Sequence, residues 1–253
     1  MAQMIFDPSK YTVQRPKPLP VILMLDASDS MNFVDGNNVE FVEGGITRIS
    51  VLNDAVRRML RTLATYEREN TEFLVSIITF GADTRLLMAP VPARDVSFTD
   101  LRASGETPLG PALAVAKKLV EDREQIPSRA YRPLVVLVSD GEPDVGWEAQ
   151  FESFVQEGRS SKCDRMALAI GKEADRKMLG QFVEGTGHAV QEAETAEEIT
   201  KFFKFVTMST VQRTLSQNPN ETPRDADVVQ PAALAGKSDA APKTVLDDDE
   251  GYW

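Results

Sequence analysis

A single cysteine (Cys163) and a single histidine (His188) stand in a chain of 253 residues. One cysteine excludes an internal disulfide, and one histidine excludes a metal site built from several imidazoles. A catalytic triad with an imidazole base would have to use His188 itself. Long apolar runs are missing too. The most apolar, Val21 to Leu25, is far too short to cross a bilayer. The opening stretch MAQMIFDPSKYTVQ lacks the apolar core of a secretory signal. Basic charge is in deficit, with 28 Lys and Arg against 39 Asp and Glu and a net charge of −11. That balance argues against nucleic acid and membrane surfaces as partners, since both are anionic. The expectation is a cytoplasmic protein whose Cys163 is reduced and packed inside.

What is present is enough apolar material for a core, 42% of the residues. Short apolar runs alternate with amphipathic segments. Val21–Leu25, Phe73–Phe80, Leu134–Val138 and Met166–Ile170 read as strands, the first and third as continuous apolar runs buried on both faces. Thr84–Val91 reads as a strand returning beside Phe73–Phe80, and His188–Val190 as a last short strand. Helices are expected over Arg48–Glu69, Pro108–Glu124, Glu148–Glu157, Asp175–Glu184 and Ala196–Leu215. Strands alternating with helices require right-handed crossovers. The fold class is therefore α/β, a doubly wound and mostly parallel sheet between two helical layers. Residues 1–18 form a Pro-rich lead-in, 19–215 the domain, and 216–253 an acidic tail without apolar periodicity. That tail holds eight acids and three bases, nearly half of the excess charge.

In doubly wound sheets ligands lie beyond the carboxyl ends of the strands. The first strand ends in Asp26-Ala-Ser28-Asp-Ser30, where alternate residues can aim oxygens at one point. The third apolar strand ends in Ser139-Asp140-Gly-Glu-Pro-Asp144. Between them in sequence lies Ser104-Gly-Glu-Thr107-Pro-Leu-Gly110, a turn into a helix. Two carboxylates and three hydroxyls are hard oxygen donors, suited to Mg²⁺, Mn²⁺ or Ca²⁺. Each piece also has a plainer reading. Asp-x-Ser-x-Ser can cap its own turn, Thr107 can cap a helix, and Asp-Gly is a common turn.

Together, Asp26-x-Ser28-x-Ser30, Thr107 in Gly-x-Thr-Pro-Leu-Gly and Asp140 in Ser-Asp-Gly resemble the von Willebrand factor A domain over about residues 19–213. They match its metal-ion-dependent adhesion site (MIDAS). Leu-Pro-Val-Ile-Leu-Met-Leu-Asp is similar to the bacterial, intracellular TerY-like branch. The resemblance implies a six-stranded sheet with one antiparallel edge strand. It implies Ser28, Ser30 and Thr107 as direct or near-direct metal ligands, with Asp26 and Asp140 ligating directly or through water. It further implies a non-enzymatic module that binds a divalent cation, Mg²⁺ by abundance, and through it an Asp or Glu of a protein partner. The implied setting is stress or defence signalling beside a protein kinase and a metal-dependent protein phosphatase. Two departures stand out: Asp29 where the family commonly has Gly, and the long link Asn32–Thr47, in which Asp35-Gly36 or Asn37-Asn38 could turn a hairpin.

Two other functions compete. A Mg²⁺-dependent phosphoryl-transfer enzyme could use Asp26 as nucleophile, but the acid/base expected two residues on is Ser28. Neither a P-loop nor a Gly-x-Ser-x-Gly elbow is present. Alternatively the domain is a metal-independent scaffold that binds through its tail, whose end pairs an acidic run with Tyr252 and Trp253.

Overall fold

The computed structural model describes residues 16–33, 45–67, 71–220 and 223. Six strands form one sheet: β1 (Lys17–Ala27), β2 (Thr71–Gly81), β3 (Arg85–Pro92), β4 (Leu134–Ser139), β5 (Asp164–Ile170) and β6 (Gln191–Ala193). Their order is β3-β2-β1-β4-β5-β6, with β3 antiparallel to β2 and every other pair parallel. Five helices accompany them: α1 (Arg48–Tyr66), α2 (Leu109–Glu121), α3 (Glu148–Gln156), α4 (Arg176–Val183) and α5 (Ala196–Leu215).

Alternation along β1 divides the core. Leu19, Val21, Leu23 and Leu25 pack with residues of α1 and α5 on one face. Ile22 and Met24 pack with α2, α3 and α4 on the other. Both faces being covered explains why the central strands are apolar throughout. β1 begins at Lys17, earlier than its apolar run, and takes in Pro18 and Pro20. Pairing permits this. β2 lies alongside from Lys17 onward, whereas β4 joins only at Val21, so the prolines sit where one side of the strand has no ladder.

The last strand is β6 at Gln191–Ala193, not His188–Val190. His188 instead lies before it, buried, with Nε2 3.5 Å from Oδ2 of Asp164 at the start of β5. That is the amino edge of the parallel sheet, opposite the candidate ligands. The hairpin expected near Asp35–Asn38 lies outside the described residues, as does nearly all of the acidic tail. Among the described residues, no helix is long and apolar enough to cross a membrane.

Cys163 is buried just before β5, and burial pushes its thiol up to about 12. A thiol so protonated and shielded is a poor nucleophile. Iodoacetamide is expected to modify the native protein at least about a hundredfold more slowly than the urea-unfolded chain. Mass spectrometry over time checks this, and fast native labelling would contradict it.

Candidate metal centre

The chain runs from β1 to β2 on one side of the sheet and later returns to β4 on the other side of β1. Strand order reverses between β1 and β4, which opens a crevice at their carboxyl ends. Asp26 is the penultimate residue of β1 and Asp140 follows β4, so both carboxylates lie at that crevice, and neither is solvent-exposed.

Asp26 Oδ1 accepts the Ser28 backbone N–H at 2.9 Å, and Oδ2 accepts the Ser139 hydroxyl at 2.7 Å. The turn reading of Asp-x-Ser is thus correct, yet it uses only part of what a carboxylate can accept. Ser28 Oγ and Ser30 Oγ are 3.0 Å apart. The Ser30 hydroxyl donates to Asp140 Oδ1 at 2.6 Å, joining the first and third loops. Asp29 is exposed and its side chain is no part of this network, although its N–H donates to Gly105 O at 2.8 Å.

That last bond belongs to a backbone clamp that places Thr107. The Ser104 N–H donates to Ala27 O, and the Ala82 N–H donates to Ser104 O. Gly81 makes this closeness possible, because a Cβ there would lie 2.5 Å from Ala27 O and 2.7 Å from Ser104 O. Thr107 does not cap α2. The cap position is Pro108, with no side-chain bond, and Thr107 gives its N–H to Asp144 Oδ1 at 3.1 Å. Its hydroxyl faces Gly141 instead. A Cβ on Gly141 would stand 3.5 Å from Thr107 Oγ1 and 3.9 Å from Ser30 Oγ, so Gly141 lies beside both hydroxyls.

Electrostatics set this cluster apart from an ordinary turn. Burial, and then the negative charge of Asp140, push Asp26 up to about 6 against the hydrogen bonds from Ser28 and Ser139. Burial also raises Asp140, opposed by the Ser30 hydroxyl and the Arg48 guanidinium. Two desolvated carboxylates facing each other are costly, and a bound cation would relieve that cost. Among the described residues no three His, Cys, Asp or Glu side chains gather as a metal-binding group. The oxygen donors here are two carboxylates and three hydroxyls, a set that fits a hard divalent cation.

Sequence reasoning missed Arg48, Ser139 and Asp144 as parts of this site. Arg48 Nη1 donates to Asp140 Oδ2 at 2.9 Å across 92 residues of sequence. One signal was available: a cation at the first position of a helix opposes the helix dipole, a local conflict that invites a reason.

A model of the von Willebrand factor type A domain matches residues 21–142, a span that holds all five candidate ligands. Over that span, just under half of the chain, the sequence is similar to the von Willebrand factor type A domain. Solved structures agree at the level of fold. A von Willebrand factor type A protein from Catenulispora acidiphila is 16% identical, with a TM-score of 0.55, covering 77% of this chain and 42% of that one. The PilB minor pilin from Streptococcus sanguinis is 15% identical, with a TM-score of 0.56, over 80% of this chain and 63% of that one. Proximal thread matrix protein 1 from the mussel byssus, solved with a zinc-occupied MIDAS motif, is 14% identical with a TM-score of 0.53, over 76% and 48%. The uncharacterized protein Rv2850c of Mycobacterium tuberculosis is 32% identical over 130 residues, 50% of this chain. The aligned stretch is only 18% of that relative's length. Type A domains form a family of metal-dependent protein-interaction modules.

Proposed function

We propose that residues 19–215 form a non-enzymatic binding module, in which Asp26, Ser28, Ser30, Thr107 and Asp140 hold a divalent cation that captures a carboxylate of a protein partner. The observation that carries this reading is the convergence of two buried, mutually repelling carboxylates and three hydroxyls at the β1/β4 crevice. The cation, when bound, supplies an electrophilic centre with few protein charges on it. The zinc-bearing motif of the mussel protein supports a divalent ion as the ligand class, and Mg²⁺ is our choice for the cell on abundance. A phosphoryl-transfer role is disfavoured because the position two residues after Asp26, where an acid/base would be needed, is Ser28. The TerY-like stretch Leu19–Asp26 supports a bacterial, cytoplasmic signalling setting beside a protein kinase and a metal-dependent phosphatase.

Rim charge narrows the partner. Asp29, Glu106 and Glu142 are exposed next to Ser28, Thr107 and Asp140, while Lys172 and Glu173 on the next loop cancel. A bare acidic partner would be repelled there, so the captured carboxylate must sit among basic side chains. The 253-residue chain, immobilised and exposed to bacterial extract, is expected to retain a partner in Mg²⁺, release it to chelator and lose it with Asp140→Ala. Glu106→Gln/Glu142→Gln is expected to keep Mn²⁺ affinity while weakening the partner's retention at low salt and flattening its salt dependence. Retention unaffected by chelator would favour the metal-independent scaffold instead.

A further inference from the structure

We propose that Arg48 is a built-in counter-cation that holds Asp140 when no metal is present and weakens the site's hold on the metal. The inference rests on the metal-binding reading above and adds the residue that sets its affinity. Arg48 is not a surface arginine that happens to touch an acid. Its side chain is 12% exposed and bonded to a carboxylate with no exposure at all. Its place is prepared by three other segments. Gly171, at the end of β5 with φ +72, supplies the floor: a Cβ there would lie 2.3 Å from Arg48 Nη2 and 2.9 Å from Cζ. The Phe33 ring lies 5.7 Å from the guanidinium carbon, and the Arg48 backbone N–H donates to Phe33 O at 2.9 Å. Asp140 closes the slot.

The two oxygens of Asp140 are divided between two functions. Oδ1 takes the hydroxyl of Ser30 and so faces the candidate ligands, while Oδ2 takes Arg48. A divalent cation drawn to the Ser30 side shares this carboxylate with a fixed positive charge a few ångströms away. In a desolvated site that repulsion is weakly screened. Arg48 also cuts the charge the cluster offers from two negatives to one, and the affinity of oxygen sites for hard divalent ions follows their ligand charge. Arg48 occupies this place against its own helix, since as the first residue of α1 it stands at the positive end of the dipole. Asp140 is the partner that offsets that conflict. With its charge only partly neutralised by protein, the bound cation keeps more of it for an incoming carboxylate.

A purely structural ion pair makes the opposite prediction, because its loss frees Asp140 to move and weakens or leaves unchanged the metal affinity. Calorimetric Mn²⁺ titration at neutral pH on the full chain, with thermal melts in chelator, separates the two. Arg48→Gln is expected to bind Mn²⁺ at least tenfold more tightly than wild type, to melt lower in chelator and to recover in Mn²⁺. Arg48→Lys, which keeps the charge, is expected to stay near wild type in both. Should Arg48→Gln fail to fold, Gly171→Ala displaces the guanidinium by its Cβ and is expected to tighten Mn²⁺ likewise. Equal or weaker Mn²⁺ binding by Arg48→Gln, or equal tightening by Arg48→Lys, overturns the counter-cation role alone. Absence of Mn²⁺ binding in every variant overturns the metal site itself and this role with it.

Discussion

Asp26→Asn is expected to weaken divalent-cation binding severely and, in the same molecule, to stabilise the metal-free domain at neutral pH. The two effects have one cause. Asp26 is fully buried and faces the charge of Asp140, which together push it from 3.8 up to about 6. Because the folded-state value lies above the unfolded one, protonated Asp26 favours the fold below about pH 4. That favour is lost as pH rises through about 6. At pH 7 the ionised side chain therefore costs the metal-free fold about 3 kcal/mol. Asparagine removes the charge and keeps the shape. Its Oδ1 still accepts the Ser28 N–H, and its amide can donate to Ser139, whose hydroxyl turns to accept. Urea unfolding in chelator between pH 4 and 7.5 is expected to show wild-type stability falling relative to the variant as pH rises. Metal binding answers in the other direction. Changes outside the ligand shell alone cost ten- to a hundredfold, so loss of a ligand charge should cost at least about a hundredfold in Mn²⁺ affinity. Wild-type affinity should itself decline about tenfold per pH unit below about 6 as Asp26 protonates. An Asp26→Asn protein less stable than wild type at pH 7 would contradict the charge account.

The largest loss of stability is expected at the opposite edge of the sheet, from Arg213→Ala. Arg213 on α5 has no exposed surface. Its Nη2 donates to Arg132 O at 2.8 Å, its Nε donates to Pro219 O at 3.0 Å, and Nη1 lies 3.8 Å from Oδ2 of Asp164. Burial lowers it only to about 10, so it remains charged at neutral pH. The guanidinium joins three segments: the chain entering β4, the start of β5 and the chain leaving α5. Truncation leaves a buried Asp164 with less compensation and takes the donor from two carbonyls, a loss of about 3–5 kcal/mol. For a domain of this size that lowers Tm by roughly 10 °C. Because the residue lies at the amino edge, Mn²⁺ affinity measured well below Tm should not change. A melting temperature within a degree or two of wild type would show that the cluster carries little.

The two sites differ in how far the sequence revealed them. Strand interiors and helices were legible where the apolar pattern was long. α5 is found over Ala196–Leu215 as expected, because Thr195 and Glu198 form a reciprocal capping box at its start. β6 was misplaced because three residues carry no period, and it pairs only with the last turnings of β5. Asp26, Ser28, Ser30 and Asp140 were legible as strand-end residues, since a strand end projects them in a known direction. Thr107 was legible from its Gly-x-Thr-Pro-Leu-Gly motif, whereas the backbone bonds that tie its loop to Ala27, Asp29 and Ala82 were not. Arg48 was hidden because no local motif marks it. Its role needs an acid far along the chain and the missing side chain of Gly171.

Mn²⁺ titration of the full chain, with Asp26→Ala/Asp140→Ala beside it, tests the central claim most directly. Electron paramagnetic resonance of free Mn²⁺ gives the count, and circular dichroism confirms that both proteins are folded. One saturable ion per wild-type chain, with none in the double variant, is the result predicted. A wild-type chain that takes up no Mn²⁺ at millimolar concentration, or a folded double variant that binds it equally, would contradict a metal centre at the β1/β4 crevice.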